Sequence, residues 1–214
     1  MRRYKAILFD FDGVLADTME DNFKAWEQAF SSHNIRLDRE TYFLLEGMNV
    51  RGVAEHILKQ HQRDPSLAVF IGADKERLYE AGHAFRLYPG VLEMIEALRP
   101  GFALGLVSGA SAVRLRTTTP QALLNQFSVI IDGDTVHHAK PHPAPYLAAA
   151  AALGVAPENC LVVENAPLGI ASAKNAGMDC VAVTSTLERR HLAGADHIVE
   201  SIGGVQLIVA QNQP

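Results

Sequence analysis

No apolar stretch in this sequence approaches the ~18–20 residues that a membrane-spanning helix needs, which argues for a soluble protein with no membrane partner. Cysteine is also scarce. The two in 214 residues, Cys160 and Cys180, lie inside apolar runs. They are too few for a disulfide-stapled scaffold and read as buried free thiols, so a reducing compartment, the cytoplasm, is the expected location. An excess of basic residues is missing too: 19 Lys plus Arg stand against 24 Asp plus Glu, a net charge of −5. Such a chain lacks the electrostatic footprint of a protein whose main partner is nucleic acid or an anionic membrane. The basic start Met1-Arg2-Arg3-Tyr4-Lys5 leads into an apolar run that stops at Asp10, too soon for the core of a signal peptide.

What is present is enough to build a core. Hydrophobic residues make up 48% and charged residues 20%, which fits one domain carrying a modest insertion. Short runs at 6–9, 102–107, 129–131, 161–163 and 181–183 are apolar throughout and bounded by Gly, Asp, Ser or Thr. Unbroken apolar runs suit parallel strands covered on both faces. From about residue 85 they alternate with amphipathic segments, which predicts a doubly wound α/β sheet, Rossmann-like in its winding. Residues 18–84 do not join that alternation. Phe23, Trp26 and Phe30 share one helical face, Val50, Val53, Ala54, Ile57 and Leu58 a second, and Leu67, Phe70 and Ile71 begin a third. The expected organisation is an α/β core over 1–17 and 85–214, with a small helical cap over 18–84 inserted after the first strand. Leu87-Tyr88-Pro89-Gly90 is the turn that returns the chain to the core.

In an open α/β sheet, ligands bind at the carboxyl ends of the strands. The first run is followed by Asp10-Phe11-Asp12-Gly13, the second by Ser108-Gly109, the third by a loop ending in Lys140-Pro141, and the fourth by Glu164-Asn165. Two carboxylates, a hydroxyl, an ammonium and an acid–amide pair therefore converge. The set suits phosphoryl transfer. A carboxylate can act as nucleophile through an aspartyl-phosphate, a lysine and an oxygen-bound Mg²⁺ can offset the repulsion between anions, and a second aspartate can serve as acid and base.

Asp10 to Thr18 (Asp-Phe-Asp-Gly-Val-Leu-Ala-Asp-Thr) resembles the first motif of the haloacid dehalogenase (HAD) superfamily, and Ser108, Lys140-Pro141 and Glu164-Asn165-Ala166-Pro167-Leu168-Gly169 resemble its second, third and fourth, in order. The helical insertion is similar to that of the group holding β-phosphoglucomutase and many sugar-phosphate phosphatases. The resemblance implies that Asp10 is the nucleophile and a Mg²⁺ ligand. It makes Asp12 the general acid and base, lending its backbone carbonyl to the metal. Ser108, with Gly109, and Lys140 would bind the phosphoryl group, and Glu164 and Asn165 would complete the Mg²⁺ site. Gly47 and Arg51, between cap helices, fall where this family places substrate-specificity residues.

Three positions depart from the family pattern. Asn165 stands where Asp is commonest, which predicts weaker Mg²⁺ binding. Asn22 stands where the mutase has a histidine, and Ala144 replaces an acidic residue, a change expected to affect helix capping. Asp17 and Thr18 are read as helix caps with Glu20 or Asp21 reaching back, and Ser108 also as a candidate cap. His137, His138 and His142 match no zinc spacing. The expected function is Mg²⁺-dependent hydrolysis of a small phosphorylated metabolite, a sugar phosphate, by a monomer. A phosphomutase is the alternative and a non-catalytic metabolite-binding homologue a third. Dehalogenases and phosphonatases of the superfamily lack the second aspartate that Asp12 supplies.

Overall fold

The computed structural model describes residues 4–211, so the basic start at 1–3 lies outside the described residues. Six parallel strands, β1 (Ala6–Phe9), β2 (Ala103–Val107), β3 (Val129–Ile131), β4 (Cys160–Glu164), β5 (Asp179–Val183) and β6 (His197–Val199), form one sheet in the order β3-β2-β1-β4-β5-β6. Successive side chains on a strand point to opposite faces, and the sheet obeys this strictly. Ala6, Leu8, Cys160, Val162, Cys180 and Ala182 enter one hydrophobic core, while Ile7, Phe9, Leu161, Val163, Val181 and Val183 enter the other. Helices α8 (Ala144–Leu153) and α9 (Pro167–Asn175) cover the first face, and α5 (Val91–Leu98), α6 (Ala112–Thr118), α7 (Gln121–Leu124) and α10 (Gly204–Gln211) the second. The winding reverses at β1, so the crevice beyond β1 and β4 is where this topology places a ligand.

The expected core strands are present, each within a residue or two of the apolar run. The edge strand β6 was not anticipated. Its three residues are all half-exposed and include a histidine, so they give no buried-strand signal.

Between β1 and α5 the chain inserts α1 (Met19–Ser31), α2 (Arg39–Leu44), α3 (Val50–Gln60) and α4 (Ala68–Gly82). Asp38 starts α2 by accepting a hydrogen bond from Thr41 N (2.8 Å), and Asn49 starts α3 by accepting from Gly52 N (2.8 Å). Trp26 and Phe30 are buried with their rings stacked 5.4 Å apart, and Phe23 packs beside Tyr42 and Phe43 of α2. Two expectations are corrected. α2 is an additional helix, and Phe70 is 69% exposed rather than part of a buried face. The stripe that α4 buries is Ala68, Ile71, Gly72, Lys75 and Tyr79, with a lysine in its middle. The connectors into and out of the insertion run side by side, held by Asp17 N to Arg86 O (2.9 Å) and Tyr88 N to Leu15 O (3.0 Å). Both cysteines are buried and free, and no described helix is long and apolar enough to cross a membrane.

Candidate active site

The strand ends do converge. Lys140 Nζ bridges Asp10, after β1, and Glu164, at the end of β4; it donates to Asp10 Oδ1 and, at 2.7 Å, to Glu164 Oε1. Glu164 Oε1 also accepts from Tyr146 Oη of α8 (2.6 Å), and its Oε2 from Asn165 N (3.0 Å). This carboxylate is seated against α9. A Cβ on Gly169 would lie 1.8 Å from Glu164 Oε1, so any side chain there would have to displace this carboxylate. Burial pushes the Lys140 ammonium towards losing its proton, but the two carboxylates outweigh it and hold the charge in place. Burial also raises Asp10, to about 8, against the pull of Lys140 and with a further push from Glu164. Burial thus disfavours the charged form of Asp10 more than the Lys140 ammonium supports it.

Asp12 is held from three sides. Thr18 Oγ1 (2.5 Å) and Asn22 Nδ2 (3.3 Å) donate to Oδ1, and Arg114 Nη2 of α6 (2.7 Å) donates to Oδ2. Burial alone would raise its pKa; the Arg114 guanidinium and the Thr18 hydroxyl outweigh that and hold it below the ordinary carboxylate value. Thr18 therefore does not cap α1. Its backbone is not extended and its side chain makes no capping bond, because the hydroxyl is committed to Asp12. Asp21 accepts from Ala84 N (3.1 Å) in the return connector rather than reaching back.

Ser108 is buried at the end of β2, with Oγ accepting from Ala110 N (3.1 Å). It does not cap α6, which Ser111 starts by accepting from Arg114 N (3.2 Å). Ala144 opens α8 behind Pro143 with no side-chain cap, as its loss of an acid implies. Gly47, at φ +95°, crosses directly over Lys140, where a Cβ would come within 3.0 Å of the lysine stem. Arg51 is placed elsewhere. It is exposed on α3 and pairs with Glu55 one turn on (2.6 Å), outside the central cavity. The rings of His138 and His142 lie 4.6 Å apart, tilted by 33°, on the loop before α8.

Three buried residues of this centre were not read from the sequence. Lys75 Nζ donates to Asn22 Oδ1 (2.7 Å) and Glu76 (2.8 Å), and burial depresses it to about 8. Arg114 joins Asp12 to Asn22. Glu46, from the loop before α3, accepts from Asn165 Nδ2 (2.8 Å). With Asp10, Asp12 and Gly109 these residues line a cavity of about 40 Å³ beneath the insertion.

Among the described residues no three acidic, histidine or cysteine side chains by themselves cluster as a metal site. The oxygen set here mixes carboxylates with the Asn165 amide, whose Oδ1 is buried without a hydrogen-bond partner. An all-oxygen set of carboxylates and an orphaned carbonyl-type oxygen fits a hard cation such as Mg²⁺.

Comparison with known proteins agrees with this geometry. Residues 7–183 match the haloacid dehalogenase-like hydrolases. The chain belongs to that family. Within it, the chain is similar to validoxylamine A 7'-phosphate phosphatase of Streptomyces hygroscopicus subsp. limoneus, at 30% identity over 95% of this chain and 96% of the relative. It is 29% identical to β-phosphoglucomutase of Bacillus subtilis, over 95% of this chain and 92% of that one. The crystal structure of CbbY from Rhodobacter sphaeroides in complex with phosphate superposes with a TM-score of 0.79 at 29% identity, covering 94% of this chain and 96% of the other. This HAD-type chain is accordingly an enzyme of the phosphatase and phosphomutase kind.

Proposed function

We propose that the enzyme hydrolyses a small phosphomonoester, a sugar phosphate, with Mg²⁺ through an aspartyl-phosphate on Asp10. The observation that carries the reading is the convergence of four strand ends: Lys140 bridges Asp10 and Glu164, Ser108 is buried at the end of β2, and Asp10, Asp12 and Gly109 line the cavity beneath the insertion. Asp10 attacks phosphorus, the ester P–O bond breaks, and Asp12 protonates the leaving oxygen. In the second half Asp12 takes a proton from the attacking water as the Asp10–phosphate bond breaks. Lys140 holds Asp10 oriented and, with Ser108 and the Gly109 backbone, receives the phosphoryl oxygens. Asp10, the Asp12 carbonyl, Glu164 and Asn165 would hold Mg²⁺, which when bound supplies charge that offsets repulsion between Asp10 and the phosphoryl group.

The cavity of about 40 Å³ has room for a few waters and not for a sugar phosphate, so on this reading the cap over 18–84 lifts to admit substrate and closes to exclude solvent. Gly47 is placed to contact that substrate; Arg51, on the outer rim, could meet it only during entry. The acidic chain and enclosed cavity support a small metabolite rather than nucleic acid or a membrane as partner, and the buried thiols support a cytoplasmic setting. We read the chain as a monomer.

A phosphomutase reading has one observation in its favour. Lys75 and Arg114 beside Asp12 offer a second anionic seat, which a bisphosphate intermediate needs. Phosphate release from a panel of sugar phosphates, with Asp10→Asn as blank and EDTA as control, tests the hydrolase. Metal-dependent release that vanishes in the variant supports it. Isomerisation of a hexose 1-phosphate only on adding a bisphosphate would replace it with the mutase.

A further inference from the structure

Glu46 is a buried carboxylate that the chemistry above does not use. It is 7% exposed, its Oε2 accepts from Asn165 Nδ2, and its Oε1 has no partner. Among the described residues it forms no ion pair, whereas Asp10 and Glu164 share Lys140, and Asp12 has Arg114. A buried carboxylate without a cation is costly, and such groups are normally paired or bound to metal. The side chain it touches is equally unusual. Asn165 spends its Nδ2 on Glu46 and Thr186 (2.9 Å) and leaves Oδ1 buried and unpartnered. Two residues in contact, one from the insertion and one from the core, therefore each keep a buried oxygen without a partner.

We propose that Glu46 supplies the metal-site carboxylate that position 165 lacks, its Oε1 and the Asn165 Oδ1 joining Asp10 as ligands of the divalent ion. The proposal rests on the reading of this centre as a Mg²⁺ site. Asn165 in place of an acid removes one negative charge from the core, and Glu46 returns it from the insertion. The ion then bridges the two parts of the molecule, and its binding and the closing of the cap favour each other reciprocally.

The test is Mn²⁺ binding to the full chain without substrate, read from the electron paramagnetic resonance of free Mn²⁺ and by calorimetry. The proteins are wild type, Glu46→Gln, Asn165→Asp, the double variant and Asp10→Ala. Glutamine keeps an acceptor for Asn165 while removing the charge. Glu46→Gln should weaken Mn²⁺ by about tenfold or more, Asn165→Asp should tighten it, and the double variant should return towards wild type. Glu46→Gln binding within about twofold of wild type, with Asp10→Ala abolishing binding, would overturn the proposal and leave the Mg²⁺ site standing; Glu46 would then face substrate. No Mn²⁺ binding by wild type would overturn both. Should Glu46→Gln fail to fold, as read by its thermal melt, Asn165→Asp decides: unchanged affinity overturns the proposal.

Discussion

Lys75 should weaken the fold that it serves. It is 2% exposed, among the aromatic rings of Trp26 (5.6 Å) and Tyr79 (4.9 Å), and its pKa falls from 10.5 to about 8 because burial and then Arg114 disfavour its charge more than Glu76 supports it. Each pKa unit is about 1.4 kcal/mol, so keeping this ammonium charged at pH 7 costs on the order of 3 kcal/mol. Lys75→Met keeps the apolar stem and removes the charge. That cost is already net of the Glu76 pairing, so against the gain stand the lost hydrogen bond to Asn22 and the cation–π contacts, together about 2 kcal/mol. Their partners are not stranded, since Asn22 Oδ1 still accepts from Arg114 (3.2 Å) and Glu76 reaches solvent. The expected net is a stabilisation of about 1 kcal/mol at pH 7, a rise in Tm of roughly 2–4 °C.

The pH dependence gives the sign a second time. Between pH 8 and 10.5 the unfolded chain still binds the Lys75 proton that the folded protein has released. Through this group stability therefore rises with pH across that window. Thermal melts of wild type and variant from pH 7 to 10.5 measure it. The advantage of Lys75→Met should shrink as pH climbs, while its kcat/KM for an anionic substrate stays lower. A variant that melts below wild type at pH 7, or a difference that does not change with pH, would refute the reasoning.

Arg114→Gln removes the charge that holds Asp12 below its ordinary pKa, so the limb of kcat/KM set by protonated Asp12 should move to higher pH. Because Asp12 is depressed in the folded state, wild type gains stability from it above the unfolded pKa and loses that gain as pH falls through the folded one; acid melts of Arg114→Gln should lack the loss, and an unmoved rate profile counts against the Asp12 assignment. Gly169→Ala drives a methyl to 1.8 Å from Glu164 Oε1, a group fixed by Lys140 and Tyr146. A destabilisation of about 3 kcal/mol is expected, partly recovered by the shorter Glu164→Asp in the same chain; an unchanged Tm would contradict the packing described here.

The parts that were legible in the sequence and the parts that were not divide along a physical line. Asp10, Ser108, Lys140 and Glu164 each follow an apolar run, and a parallel sheet carries every strand end to the same edge, so local order suffices to bring them together. Thr18 misled because a threonine before an amphipathic helix has the form of a cap. Its hydroxyl goes instead to Asp12, six residues back, in a turn whose geometry only the folded connectors define. Lys75, Arg114 and Glu46 were missed for a stronger reason. Their partners Asn22, Asp12 and Asn165 lie 53, 102 and 119 residues away: the first pair forms within the insertion, the second within the core, and only Glu46 with Asn165 waits for the insertion to dock on the core. One trace was readable for Lys75: it continues the four-residue spacing of Ile71 and Tyr79, the buried stripe of α4. A lysine in such a stripe must find a polar partner across the interface or destabilise the helix packing, and here the partner is the asparagine that steadies Asp12. Glu46 left a weaker trace, an acid between Leu45 and the loop glycine, which gains meaning only beside an Asn165 that is one charge short. On the reading proposed above, the core motifs would fix where phosphoryl chemistry occurs, and the charges that the insertion sets beside them would select the anion and the cation.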